Sequence, residues 1–253
     1  MSSIEIADPS PAVEFMNKFI QWSRPPELLE LPDGQVHVWR ASLDLDSGRL
    51  AELRTALRPG EIERANRYVF DSDRLRYEAG RGILRRLLSR YRNCPPAAFE
   101  IQTNPFGKPF IDGDICFNLS HSGPLAVYVF ARNADVGIDV ERIRTDVECF
   151  EIARRYFTDA ELEELEATAK ETQSEAFFRG WTRKEAYVKA LGRGLTTSLT
   201  SFEIGLGDQD TRLMSYSDTG TWVAKSFVPQ ENFVGSVVTS GQDSQFAWWE
   251  FSG

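Results

Sequence analysis

The stretch I-C-F-N-L-S-H-S-G-P-L-A-V-Y-V-F-A-R-N-A-D-V-G-I-D-V-E spans residues 115–141. It contains three consecutive β-type segments, and these help to assign the structure of the rest of the chain. Turn-forming residues separate these segments at 122–124 and at 133–135. In a strand, successive side chains point to opposite faces, so Asp139 and Glu141 share one face and the apolar residues beside them share the other. The stretch therefore predicts a strand with two carboxylates on one face.

Helical and strand patterns both flank this region, which predicts a mixed α/β (α+β) fold. Apolar residues at helical spacing predict helices at 11–22, 72–92, 147–157, 159–169 and 172–191, with a Thr158/Glu161 capping box at the start of the fourth. Alternating patterns predict strands at 35–41 and 99–102, and a C-terminal hairpin formed by 233–240 and 246–251. A boundary near residue 134 divides the chain into an N-terminal α/β half, 1–133, and a C-terminal α/β half, 134–253.

The composition is that of an ordinary globular protein and argues against several functional classes. The 253 residues carry a formal net charge of −9, whereas general nucleic-acid binding requires Lys and Arg to neutralise phosphates. Three cysteines without metal-ligand spacing indicate reduced, structural thiols. The sequence shows no signal peptide and no apolar run approaching about 20 residues, so we expect a soluble, cytoplasmic protein without membrane contact.

The carboxylates of Asp139 and Glu141 suggest a site for a divalent cation. Two carboxylates about 4 Å apart repel each other by about 4 kcal/mol at an effective dielectric of about 20, so their close approach favours a bound cation. Oxygen ligands suit Mg²⁺, which shares its coordination shell with water and substrate phosphates. An edge strand with a solvated polar face accounts for the same spacing.

The stretch W-T-R-K-E-A-Y-V-K at 181–189 predicts a helix with Glu185 and Lys189 one turn apart on the same face. The aromatic residues that precede it indicate a tightly packed helix that holds its polar face in a fixed place. Two structural interpretations stay open. Glu185 can complete a capping box that begins at Thr182, or it can form an exposed ion pair with Lys189.

Two further features suggest anion binding. S-H-S at 120–122 is predicted as a turn between two strands, and it offers hydroxyls, amides and an imidazole to an anion, although a structural histidine fits equally well. Seven arginines, suited either to phosphate recognition or to a solvated face, lie within 23 residues: Arg64, Arg67, Arg74, Arg76, Arg81, Arg85 and Arg86. Neither G-x-x-x-x-G-K-[ST] nor G-x-G-x-x-G occurs.

Four short sequence motifs follow one another along the chain: G-K-P at 107–109, F-N-L-S-H-S at 117–122, V-G-I-D-V-E at 136–141 and F-R-G-W-T-R-K-E-A-Y-V-K-A-L-G-R-G-L at 178–195. In this order the chain resembles the larger, Sfp-type 4′-phosphopantetheinyl transferases. The resemblance implies a pseudo-twofold fold of two similar α/β subdomains with the active site in the cleft between them. It also implies transfer of 4′-phosphopantetheine from coenzyme A to a serine of an acyl or peptidyl carrier protein, releasing 3′,5′-adenosine bisphosphate.

The resemblance further implies roles for individual residues. The implied Mg²⁺ ligands are Asp139, Glu141 and Glu185. The implied coenzyme A contacts are Arg64, Arg76 and Arg81 at the 3′-phosphate, Lys108 and Pro109 along the adenine, Ser120 and His121 at the phosphates, and Lys189 at the departing bisphosphate. The implied catalytic residues are Asp139, Glu185 and Lys189, and we hypothesise that Glu185 accepts the proton of the carrier serine.

Other functions remain compatible with the same residues. A Mg²⁺-dependent hydrolase acting on coenzyme A or a nucleotide diphosphate would use the same carboxylates with water as the nucleophile. A module that binds carrier proteins or coenzyme A without catalysis is a third possibility. Because two halves of one chain supply both walls of the cleft, we expect a monomer.

Overall fold

The computed structural model describes residues 20–207, 211–215, 220–241 and 244–252. Its helices are α1 (Ser47–Arg54), α2 (Pro59–Ala65), α3 (Asp71–Arg92), α4 (Cys149–Tyr156), α5 (Asp159–Ala167) and α6 (Gln173–Leu191). Its strands are β1 (Gln35–Ser42), β2 (Gln102–Thr103), β3 (Pro109–Phe110), β4 (Ile115–Ser122), β5 (Leu125–Arg132), β6 (Val136–Arg142), β7 (Phe202–Glu203), β8 (Thr211–Ser215), β9 (Trp222–Phe227), β10 (Phe233–Ser240) and β11 (Gln245–Glu250). The helix predicted at 11–22 lies mostly outside the described residues, and 20–22 are not helical.

The predicted helices after residue 70 are confirmed as α3 to α6, and their ends follow from local chemistry. α5 begins at the predicted capping box, in which Thr158 Oγ1 accepts the Glu161 N–H at 3.3 Å and Glu161 Oε2 accepts the Thr158 N–H at 2.8 Å. Asn93 follows the last residue of α3 and Gly192 follows the last residue of α6, and both adopt the left-handed conformation that closes helices.

The strands form two main sheets. The first has the order β11-β1-β5-β4, with β11 parallel to β1 and the other pairs antiparallel. The second has the order β6-β10-β9-β8-β7 and its pairs are antiparallel. The three strands predicted between 115 and 141 are confirmed, but the chain leaves the first sheet after β5 and enters the second at β6.

The predicted C-terminal hairpin is wrong, although both of its strands exist. β10 pairs with β6 and β9 in the second sheet, whereas β11 pairs with β1 in the first. The physical reason is burial on both sides of β11. Phe246 and Trp248 pack against one cluster of core residues and Trp249 packs against another, which a two-stranded hairpin cannot provide.

Shorter elements were harder to predict. The strand expected at 99–102 is wrong over 99–101, because the strand found there, β2, begins at Gln102 and forms a small hairpin with β3 around the G-K-P loop. Helices α1 and α2 and strands β7 to β9 were not predicted, because they are short and carry little periodic pattern. Within the described part of the chain, no helix is both long enough and apolar enough to cross a membrane.

The elements pack in layers with helices on the outside. On the first sheet, Ile83, Leu84 and Leu87 of α3 are fully buried against Trp39 and Tyr128. On the second sheet, α6 packs over β9 and β10. A third cluster, formed by valines of β1 and β5 and apolar residues of β6 and β10, joins the two sheets. The structure is thus an α+β fold of two α/β subdomains; the division after residue 133 remains a prediction.

Gly137 sets the distance between β6 and α6. A Cβ atom at this position would overlap the carbonyl oxygen of Ala186 and the amide nitrogen of Ala190, so only glycine permits this approach. Because side chains alternate along β6, Asp139 and Glu141 lie on the same face as Gly137. The close approach therefore brings the two carboxylates next to the helix that carries Glu185 and Lys189.

Candidate active site at the junction of the two sheets

β4 is the last strand of the first sheet and β6 is the first strand of the second, and side chains connect these two edges. The Asn118 side-chain oxygen accepts the Ile138 N–H at 3.2 Å. The Ser120 hydroxyl donates to Asp139 Oδ1 at 2.7 Å. This arrangement protects the free edge of β6 and places polar groups along the junction.

The two oxygens of Asp139 have different surroundings. The residue is 4% exposed, and Oδ1 accepts hydrogen bonds from Ser120 and from Lys189 Nζ, the latter at 2.7 Å. Oδ2 is buried and has no hydrogen-bond partner. A buried carboxylate oxygen without a partner costs free energy, so Oδ2 is a candidate position for a ligand or cation.

Glu185 and Glu141 share the electrostatic environment of Asp139. Burial raises the pKa of Glu185, and the negative charges of Asp139 and Glu141 raise it further, while Lys189 opposes them. Burial and the Asp139 charge likewise raise the pKa of Glu141. The three carboxylates therefore belong to one region of the junction, where each disfavours the charged form of the others.

The alternative interpretations of Glu185 do not fit the structure. α6 begins at Gln173, so Thr182 lies inside the helix and cannot cap it. The Thr182 hydroxyl bonds instead to the Arg179 carbonyl and to Ser236. Lys189 is directed toward Asp139 Oδ1 on β6. Glu185 therefore faces the junction from the middle of a packed helix.

The donor set fits a hard cation that is completed by a bound phosphate. Among the residues that the structure describes, no three His, Cys, Asp or Glu side chains are gathered closely enough to enclose a metal ion by themselves. Mg²⁺ does not require such a cage, because it keeps several waters and binds one or two carboxylates together with substrate phosphates. Asp139 Oδ2, with Glu141 and Glu185 nearby, has the chemistry of such a partial site.

His121 lies on β4, and the cations that affect it are Lys189 and Arg76. Residues 120–122 belong to β4, so the turn predicted there is wrong, and the turn begins at Gly123. Partial desolvation lowers the pKa of His121, and the positive charges of Lys189 and Arg76 lower it further. His121 thus has Lys189 and Arg76 in its surroundings, with Asp73 and Asp139 opposing their effect on the pKa of His121, and both cations are groups suited to phosphate.

The three candidate arginines of α2 and α3 do not form one cluster. Arg76 pairs with Asp44 at 2.8 Å and is the one that influences His121. Arg81 pairs with Glu61 at 2.8 Å, and Arg64 stacks 5.6 Å above the ring of Tyr77. Burial raises the pKa of Tyr77 and the charges of Arg81 and Arg64 oppose that rise, so Arg64 on α2 and Arg81 on α3 both lie near the Tyr77 side chain.

A cavity of about 250 Å³ opens beside Glu185 and Lys189 and is bounded by the G-K-P loop. Lys108 and Pro109 line it together with Phe106. Lys108 Nζ donates to the carbonyls of Val136 at 3.1 Å and Ala190 at 2.8 Å, so this ammonium anchors the loop to β6 and α6.

Asn104, Asn118 and Ser122 were not assigned roles from the sequence, yet each shapes the site. Asn104 donates to the Gly192 carbonyl at 2.7 Å and closes the G-K-P loop onto the end of α6. Asn118 lines the cavity, and Ser122 bonds Glu141 at 2.9 Å. The period of two along F-N-L-S-H-S places 118, 120 and 122 on one face, and it is the signal that could have found them.

Most of the chain is similar to proteins of one known family. Residues 135–238 match the family described as the 4′-phosphopantetheinyl transferase superfamily, and residues 46–132 match 4′-phosphopantetheinyl transferase, N-terminal. The chain is 36% identical over 233 residues to 4′-phosphopantetheinyl transferase HetI of Nostoc sp., covering 90% of this chain and 97% of that protein. It is 33% identical over 150 residues to 4′-phosphopantetheinyl transferase Sfp of Bacillus subtilis, covering 58% of this chain and 66% of that protein.

Proposed function

The chain belongs to the 4′-phosphopantetheinyl transferase superfamily, and we propose that it transfers 4′-phosphopantetheine from coenzyme A to a serine of an acyl or peptidyl carrier protein. In this proposal it is a Mg²⁺-dependent enzyme of the holo-[acyl-carrier-protein] synthase type and releases 3′,5′-adenosine bisphosphate. The supporting observation is the unpartnered, buried Oδ2 of Asp139, next to two further carboxylates and Lys189.

Coenzyme A binding would use groups from both sides of the junction. The cavity beside Lys108, Pro109 and Phe106 would receive the adenine, and the cationic region around His121 would receive the 3′-phosphate. Arg76 is favoured there because it influences His121, whereas Arg81 would contribute from farther along α3 and Arg64 from α2. Ser120 would contact phosphate while it orients Asp139.

Transfer requires positioning and neutralisation of charge more than covalent catalysis. Asp139, Glu141 and Glu185 would hold Mg²⁺, which when bound neutralises charge on the pyrophosphate. The serine oxygen bonds to the phosphorus on the pantetheine side, and the bond from that phosphorus to the bridging oxygen breaks. Lys189 would stabilise the negative charge that develops on the departing bisphosphate, and Glu185 would accept the serine proton.

The transfer itself is tested with an apo carrier protein, coenzyme A and Mg²⁺. Intact-mass spectrometry is expected to show the carrier gain one phosphopantetheine group, and the gain is expected to disappear on chelation with EDTA. Cleavage of coenzyme A without any carrier would instead support the hydrolase alternative. Binding of carrier without modification would support the non-catalytic alternative.

The role of Glu185 is tested with Glu185→Gln, which keeps the shape of the side chain but removes its charge. We expect kcat to fall about 100-fold, because general-base catalysis contributes factors of that size. Glu163→Gln, which makes the same change at an exposed residue of α5, is the control and is expected to leave kcat unaltered. An unchanged transfer rate in Glu185→Gln at saturating Mg²⁺ would remove both the base role and the ligand role.

A further inference from the structure

Three polar side chains of β4 form a row along the free edge of β6. Asn118, Ser120 and Ser122 occupy alternate positions of β4, so they point the same way. Two of them accept backbone N–H groups of β6: Asn118 from Ile138 and Ser122 from Arg142, each at 3.2 Å. The row thus replaces part of the backbone pairing that β6 lacks on this side.

Ser122 uses its hydroxyl in two directions. Its oxygen accepts the Arg142 N–H, and its hydrogen is donated to Glu141 Oε2 at 2.9 Å. Because the amide already occupies the acceptor side, the hydroxyl hydrogen is directed toward the carboxylate. One small side chain therefore ties the backbone of β6 and the carboxylate of Glu141 to the same point on β4.

Glu141 needs such a restraint more than Asp139 does. Asp139 has a short side chain whose Oδ1 is held by Ser120 and Lys189. Glu141 has one more rotatable bond, is only partly buried, and sits beside carboxylates that repel it. Fixing a free glutamate costs side-chain entropy, which a ligand must supply unless the side chain is already held.

We propose that Ser122 is a positioning residue that holds Glu141 in the orientation needed for the divalent cation. The inference rests on the proposed function, in which Glu141 is a metal ligand. Residues that orient metal ligands typically change metal affinity by 10- to 100-fold when they are removed. The Ser122 hydroxyl, rather than the bulk of its side chain, supplies the restraint.

The test compares Ser122→Val with Ser122→Thr, since these two side chains have nearly the same shape and differ in the hydroxyl. Mn²⁺ binding in the presence of coenzyme A is measured by electron paramagnetic resonance, together with the Mg²⁺ concentration that half-saturates transfer. We expect Ser122→Val to weaken Mn²⁺ binding about 10-fold and to raise the half-saturating Mg²⁺ concentration similarly. We expect Ser122→Thr to stay within about 2-fold of the wild type.

Ser236→Ala controls for a general loss of stability. Ser236 is fully buried opposite Asp139 on β10, but its hydroxyl bonds Thr182 at 2.8 Å and Ser226 at 3.0 Å. This variant is expected to lower the melting temperature while Mn²⁺ binding stays as in the wild type.

Equal Mn²⁺ affinity of Ser122→Val and Ser122→Thr would overturn the proposal. A loss of Mn²⁺ affinity in Ser236→Ala as large as that in Ser122→Val would also overturn it. In both cases normal Mn²⁺ binding by the wild type would leave the proposed function intact. If the wild type with coenzyme A bound no Mn²⁺, both the positioning role and the metal site would be overturned.

Discussion

His37 shows how a single buried residue couples stability to pH. It is 3% exposed, with Nδ1 2.9 Å from the Tyr91 hydroxyl and Nε2 3.1 Å from Gln35 Oε1. Trp39 donates to the same Tyr91 hydroxyl oxygen at 2.8 Å, so the hydroxyl hydrogen is directed to His37 Nδ1. Burial lowers the pKa of His37 to about 4 from its ordinary value of 6.5, and the ring is neutral at pH 7.

This shift predicts a loss of stability in acid. Between pH 6.5 and pH 4 the unfolded chain binds a proton at residue 37 that the folded chain does not, so the free energy of unfolding falls as pH decreases. The loss amounts to about 3 kcal/mol at pH 4. Urea denaturation at pH 7 and pH 4 measures it, and His37→Gln is expected to lose about 3 kcal/mol less than the wild type over that interval. If the wild type and His37→Gln lost the same free energy of unfolding between pH 7 and pH 4, the loss could not be assigned to His37.

For single residues, the sequence predicted which side chains share a face of a strand or helix, but not which groups they bond to. Strand alternation correctly placed Asp139 and Glu141 together, because that relation is local. The groups that distinguish the oxygens of Asp139 come from Ser120 and from Lys189, 50 residues away. Likewise, the run of arginines from 64 to 86 does not reveal that Arg81 pairs with Glu61. Such pairings depend on tertiary packing that no spacing reveals.

Among the elements, α6 depends on its contact with β6. Gly137→Ala is expected to force the helix away from the strand, because the added Cβ would overlap backbone atoms that cannot rotate aside. Overpacking of this kind costs about 1–3 kcal/mol, and it would also displace Glu185 and Lys189 from Asp139. Chemical denaturation and the transfer assay would both show the loss.

Gly60→Ala provides the matched control for that change. Gly60 lies in α2, where an added Cβ would have no atom within 4 Å, so the same substitution is expected to be neutral or to stabilise by up to about 1 kcal/mol. Equal effects of the two substitutions would show that the approach of α6 to β6 is not tight.

The N-terminal end of α3 carries exposed apolar side chains beside the candidate site. Val69 and Phe70 are 88% and 67% exposed, and Asp73 and Arg76, within the next six residues, influence the pKa of His121. Exposed apolar residues next to a reaction centre are typical of a docking surface. We expect the double variant Val69→Ser/Phe70→Ser to raise KM for the carrier about 10-fold without changing KM for coenzyme A.

Leu28 provides a distant control for the docking prediction. It is 76% exposed, and the neighbouring Pro26 bonds Arg90 near the C-terminal end of α3. That end lies about 33 Å from Phe70 along the 22-residue helix. Leu28→Ser is expected to leave the KM for the carrier and the KM for coenzyme A unchanged. An unaltered KM for the carrier in Val69→Ser/Phe70→Ser would exclude residues 69 and 70 as a docking surface.

At the scale of the whole molecule, the two subdomains are expected to unfold together. Valines of the first sheet and apolar residues of β6 and β10 share one buried cluster, and β11 returns to the first sheet from the second. Calorimetry is therefore expected to give a single transition whose calorimetric and van't Hoff enthalpies agree. Two separate transitions would show that the subdomains are independent.

The fold class was predictable from the sequence, but the route of the chain through the sheets was not. Long periodic segments such as α3, α6 and the strands from 115 to 141 carry enough local signal to be found. The pairing of β11 with β1 joins segments about 200 residues apart, and local patterns contain no information on such a partner. A hairpin was the simplest interpretation of two apolar strands joined by a short connection, and tertiary burial of β11 overrode it.

The parallel pairing of β1 with β11 also affects when the protein can assemble during its synthesis. A ribosome adds about 5–20 residues per second, so roughly 10–40 s pass between the appearance of residue 42 and that of residue 250. Throughout that interval the edge of β1 that later pairs with β11 has no strand beside it. Until β11 emerges, that edge is a surface on which another newly made polypeptide could pair, and a chaperone that shields it would raise the yield of correctly assembled enzyme.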